Sequence, residues 1–280
     1  MNFRDIACSH LTQYKINVLG IQDSGLFHYR GIPLPVSHIL PTGHHESNLL
    51  EAYRHQFFVW HKAQLLDPAG SKIKLHQFFH HLNSSQALCI NLFYPLILEK
   101  ALPLFLQFMG LKAGGDLKSE FEKASPIEET ARRTSFDFYI EDENSHQIFV
   151  EVKYTENGFG RAKDDEEHRK KFRNTYAPMV KASPFLQGEK INEKLFLENY
   201  QILRNLVHIS NLSHVVLLFP LANDIVKREA AKAMENLLTN EGQRRLKIVF
   251  LEDFVSFLEH AFEGDALGSY YQAFHAKYLP

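Results

Sequence analysis

Two apolar runs, VVLLFPL at 215–221 and KIVFL at 247–251, the second apolar after its first residue Lys247, constrain this chain more than any other feature. A strand with one wet face alternates apolar and polar residues, because successive side chains point to opposite sides of the sheet. A run without a polar position is instead a strand buried on both faces. Burying both faces requires helices on each side, which predicts an α/β sandwich. The flanking pattern agrees: LFLENYQILRNLVHI before the first run, and the stretch from Asp224 to Leu238 between the two, both read as helices.

Three further strands precede these. LKSEFEKAS, TSFDFYI and IFVEVKY follow one another after a helix that starts at Asn83 or Ser84 and carries LCINLFYPLILEK toward Pro103 and Gly110. An earlier helix is predicted from Glu46 to Leu66, ended by Asp67-Pro68 and Gly70. GIPLPVSHILPTG reads as irregular, since its prolines and glycines interrupt any period. The expected division is a mostly helical N-terminal extension over 1–82 and an α/β core over 83–280.

Composition narrows the class of molecule. At 280 residues the chain buries roughly three quarters of its unfolded surface, enough for a substantial core. Two cysteines, Cys8 and Cys89, are too few for a disulfide framework. The longest apolar stretch, from Ala87 to Leu111, is interrupted by Glu99, Lys100, Gln107 and two prolines, so a buried helix pair is expected rather than a membrane span. No secretory signal is expected from the charged N-terminus, and a cytoplasmic location follows. A net charge of −2 excludes a generally cationic surface, so binding to a phosphate backbone needs a local patch.

The chemistry concentrates in TSFDFYI and IFVEVKY. By alternation Asp137 and Tyr139 share one face of the first strand, and Phe149, Glu151 and Lys153 share one face of the second. If the loop 141–147 joins the two as a hairpin, Ile140 lies opposite Ile148 and Asp137 opposite Glu151, with Cβ atoms about 5 Å apart. Two carboxylates so placed repel. Lys153 offsets part of that charge, and a divalent cation would offset more, since magnesium takes one or two carboxylates together with waters and substrate phosphates. The rival is a solvated hairpin face with ordinary surface charges. Tyr139 and Phe149 on the same face argue that it is covered.

The order helix, three strands, helix, strand, with Asp137 on one strand and Glu151-X-Lys153 on the next, resembles the PD-(D/E)XK nuclease superfamily. Phe136 stands where the namesake proline would be. NSSQALCINLFYPL, TSFDFYI, VEVKYTENGFG and YQILRN are together similar to a bacterial group of restriction-endonuclease-like proteins, over residues 83–205. That resemblance implies a restriction-endonuclease-like three-layer α/β/α sandwich with a mixed central sheet. It also implies a magnesium-dependent endonuclease hydrolysing DNA phosphodiester bonds, with manganese as a substitute metal. Asp137, Glu151 and the Val152 carbonyl would hold the metal, and Lys153 would orient or deprotonate the attacking water. Gln86 and Glu99 are further candidates on the helix before the sheet, as are Gln201 and Arg204 from QILRN. A homodimer and a methyltransferase partner belong to the same expectation, DNA being the substrate.

Two other readings stand beside it. One is a nuclease fold that binds nucleic acid or a partner protein without cutting. The other is a retaining glycoside hydrolase, which also uses carboxylates about 5 Å apart, though a single tryptophan and a lysine beside the pair argue against it. Within RAKDDEEHRKKFR, the pairs Asp165–Arg169, Glu166–Lys170 and Glu167–Lys171 have the spacing of a self-stabilised helix, leaving Arg161, Lys163 and Arg173 as candidates for phosphate contact. His76 and His80 have metal-site spacing on a helix, but Gln77 replaces a metalloprotease glutamate. No Walker A loop is present in the sequence.

Overall fold

The computed structural model describes residues 2–67, 73–112, 114–129 and 133–280. Pro68 and Gly70, the expected helix terminators, lie outside them. In chain order the elements are α1 (Phe3–Asn17), β1 (Gly25–Tyr29), β2 (Ile32–Val36), α2 (Glu51–Leu66), α3 (Ser85–Leu98) and α4 (Pro103–Phe108). Then come β3 (Leu117–Ala124), β4 (Ser135–Asp142), β5 (Gln147–Val152), α5 (Glu166–Lys171), α6 (Ala177–Ala182), α7 (Glu193–Glu198) and α8 (Tyr200–Leu206). The chain ends with β6 (Ser213–Phe219), α9 (Asp224–Leu237), α10 (Asn240–Arg245), β7 (Leu246–Phe250), α11 (Leu251–Ala261) and α12 (Ala266–Tyr278).

These elements form two compact units, residues 1–110 with 251–280, and residues 111–250. The division differs from the one expected at 82/83, for a reason visible around Asn91. The buried Asn91 amide accepts from the Leu50 N–H and donates to the Asn48 carbonyl and the Tyr278 hydroxyl, while Tyr270 donates to the Asn91 carbonyl. The C-terminal helix α12 thus closes the unit begun by the N-terminal residues. Within that unit GIPLPV is not irregular. Ile32–Val36 pairs antiparallel with Gly25–Tyr29 across Arg30-Gly31, both at positive φ, the backbone of a tight hairpin turn. Prolines are tolerated because a two-stranded ribbon leaves each strand an unpaired side.

The second unit holds the central sheet, in the order β3-β4-β5-β6-β7. β3–β4 and β4–β5 pair antiparallel, whereas β5–β6 and β6–β7 are parallel, so the sheet is mixed. Every residue of β6 from Val215 to Phe219 is buried, which is what its unbroken apolar sequence demands. Both faces are covered, as in a three-layer α/β/α sandwich, and the fold class is the one expected. On the face carrying Phe149, Val215 and Leu217 the core includes Ile202, Leu203 and Leu206 of α8 and Val226, Ala230 and Ala233 of α9. Side chains on that face of β5 therefore meet α8.

Candidate active site

The hairpin register is the one that alternation predicts: Ile140 pairs with Ile148, Tyr139 with Phe149 and Phe138 with Val150. The regular ladder stops there, one residue short of Asp137 and Glu151. In place of a further backbone bond, the Val152 N–H donates to Asp137 Oδ2 at 2.7 Å. On its other edge β5 stays regular, the Lys153 N–H donating to the Leu218 carbonyl at 2.9 Å. The two carboxylates thus lie where the antiparallel pair opens.

The rival of a solvated face is excluded, since Glu151 is only 3% exposed and Lys153 8%. Lys153 Nζ lies 2.7 Å from Glu151 Oε1, and Gln201 Nε2 donates to the same oxygen at 2.6 Å. Burial and the facing charge of Glu151 push the Asp137 carboxyl well above the usual range, more than Lys153 and the Val152 N–H pull it down. For Lys153 burial works against the charged form, but Glu151, Glu156 and Asp137 outweigh it and hold its pKa above the ordinary value. Burial first and the second carboxylate next disfavour a charged Asp137, and Lys153 offsets them only in part.

The loop after β5 is strapped to α9. Asn223, which caps that helix, donates to the Tyr154 and Glu156 carbonyls. Glu229 accepts the Phe159 N–H at 2.7 Å, and the buried Phe159 ring lies 6.0 Å from Lys153 Nζ. Gly158 and Gly160 both have positive φ, and the chain turns back so that Gly160 comes beside Gln201.

Of the other sequence candidates, Gln201 joins the site and Arg204 takes a different place. Arg204 Nε donates to the Tyr176 hydroxyl at 2.7 Å and its Nη2 to Glu128 at 3.4 Å. Gln86 and Glu99 belong to the first unit. There Gln86 bonds the His76 N–H and the Lys74 carbonyl, and Glu99 accepts from Tyr53 at 3.0 Å. The i,i+4 pairs expected in α5 do not form. Asp165 instead caps the helix and bonds His168, Arg169 pairs with Asp164 and Glu193, and Arg173 pairs with Glu166 and Glu193. Lys171 bonds Tyr200. Arg161 and Lys163 are exposed and have no salt bridge among the described residues. His76 and His80 fall in a turn rather than on a helix. Glu128, Thr134 and Tyr176 were not among the sequence candidates, because a polar loop and a lone tyrosine carry no periodic signal.

A family model for restriction endonucleases associating with ARP matches residues 9–279. The chain belongs to this family. No curated protein and no solved structure matches it. Among the described residues, no helix of this family member is long and apolar enough to cross a membrane, and no group of three or more His, Cys, Asp or Glu side chains could hold a metal ion. A closed cage of protein ligands is therefore not available in that region. The two carboxylates, Asp137 and Glu151, are hard oxygen donors of the kind that fits magnesium, which takes one or two of them and keeps most of its shell for waters and phosphates.

Proposed function

We propose that this protein is a metal-dependent endonuclease of the PD-(D/E)XK type that hydrolyses DNA phosphodiester bonds. The observation that carries the reading is the meeting of Asp137 and Glu151 at the open end of the β4–β5 ladder, with Lys153 on Glu151. Asp137, Glu151 and the Val152 carbonyl would hold magnesium or manganese. When bound, the metal lowers the pKa of a water and offsets charge on the phosphate oxygens. The chain's own residues supply the rest. The Val152 N–H fixes Asp137, Gln201 fixes Glu151, and the Lys153 ammonium offsets negative charge as the phosphate reacts. The family's description names association with ARP, and we extend such a partner to this chain.

Supercoiled plasmid incubated with magnesium should be nicked or cut by the wild type, while Asp137→Ala and Lys153→Ala should leave it intact. Equal cutting by all three proteins overturns the assignment. Gel retention of DNA without products at any magnesium or manganese concentration replaces it with the non-cutting nuclease fold.

A further inference from the structure

Asp137 and Glu151 lie beyond the last regular pair of their hairpin, Phe138–Val150, so the ladder does not set their separation. Beyond the single bond from the Val152 N–H to Asp137, a further device holds the start of β4 against the end of β5. One helix reaches β5 directly and the residues just before β4 through Glu128. From α8, Gln201 bonds Glu151 on β5, and one turn later Arg204 reaches Glu128.

Glu128 is 1% exposed. One of its oxygens accepts the Thr134 N–H at 2.9 Å, and the other takes the Thr134 hydroxyl. Thr134 in turn accepts the Ser125 N–H at 2.7 Å, which extends the β3–β4 pairing by one step. Asp137 follows three residues later. Tyr176, fully buried at the end of a π-helical turn (Phe172–Tyr176), bonds both Arg204 and Glu128. A second tie runs through His208, whose ring bonds the Ser125 hydroxyl at 2.7 Å and the Arg204 carbonyl at 3.0 Å. Among the described residues, no member of this network leaves a buried side-chain polar atom without a partner, the condition under which a buried ion pair enforces a geometry.

We infer that Arg204, Glu128 and Thr134 are positioning residues that set where Asp137 stands relative to Glu151, with α8 as the common ruler. The inference rests on Asp137 and Glu151 being the reacting centre of the proposed nuclease. The arrangement itself can be read without any metal, through the Val152 N–H that Asp137 holds.

The test is amide hydrogen exchange of the metal-free full chain, comparing Val152 with Lys153, whose N–H bonds the Leu218 carbonyl on the other edge of β5. In Arg204→Met, Val152 should exchange about tenfold faster while Lys153 stays protected. Thr134→Val keeps the size of the side chain and removes only the hydroxyl to Glu128. It should show the same selective change, and it decides the matter if Arg204→Met does not fold. The manganese concentration giving half-maximal cleavage should rise about tenfold in Thr134→Val, in the range typical of groups that orient metal ligands. Unchanged Val152 exchange, or an equal change at Val152 and Lys153, overturns the inference. A wild type that neither binds manganese nor cuts DNA, with Val152 responding selectively, overturns the nuclease reading and leaves the positioning role standing.

Discussion

Glu151 receives the Lys153 ammonium and the Gln201 amide on the same oxygen, Oε1. Both bonds therefore fix the rotation of one carboxylate. Replacing Gln201 with leucine keeps the bulk and removes the donor. We expect cleavage to fall by roughly 10- to 100-fold, the usual cost of losing a group that orients a ligand, with most of the loss recovered at high manganese. Unchanged rates at limiting metal would show that Gln201 only packs. Asp137, Glu151 and Lys153 could be placed on one face from the sequence because strand alternation has period two and needs no knowledge of the partner. The bond from the Val152 N–H to Asp137 could not. It depends on a backbone donor choosing a side chain over the next strand, and no residue pattern records that choice.

Loops and helix ends are where the elements depart furthest from their sequence patterns. The expected Asp165–Arg169 pair in α5 fails because Asp164 and Glu193, which are outside the i,i+4 pattern, take Arg169 instead, and Glu166 turns to Arg173. β2 was hidden by its prolines, and the Arg30-Gly31 turn shows why the hairpin forms regardless. The strapped loop after β5 offers a test of element rigidity. Gly158 has φ of 107°, and a Cβ there would meet a Glu229 carboxylate oxygen at 2.4 Å. Gly158→Ala should lower unfolding stability by about 1–3 kcal/mol through backbone strain and a displaced Glu229. Gly160→Ala has φ of 85° and only Gln201 nearby, at 3.6 Å, so it should cost less. Urea denaturation of the two variants orders them, and a larger loss at Gly160 would contradict the strap.

The whole molecule carries sixteen histidines, and burial holds five of them, His80 among them, below the ordinary imidazole range; four are shifted strongly. Burial lowers His38 and His81 in the first unit, and His208 and His214 in the second, each from 6.5 to about 4. The unfolded chain takes up protons near pH 6.5, while these native sites refuse them until about pH 4. Native stability is therefore complete above 6.5 and declines as the pH falls from 6.5 toward 4. Glu128 acts in the same direction. Burial alone would raise its pKa, but Thr134, Tyr176 and Arg204 outweigh this and hold it below the ordinary value, so its contribution is lost as acid protonates it. His208 is 4% exposed, and its shift alone corresponds to roughly 3 kcal/mol once the loss is complete. His208→Gln removes the titrating group at similar polarity. The urea midpoint of the wild type should drop between pH 7 and pH 4.5, and His208→Gln should flatten that drop even though it starts from lower stability. Parallel curves for the two proteins would mean that His208 is accessible to protons in the native state, and the Ser125–His208 tie would then have to open readily.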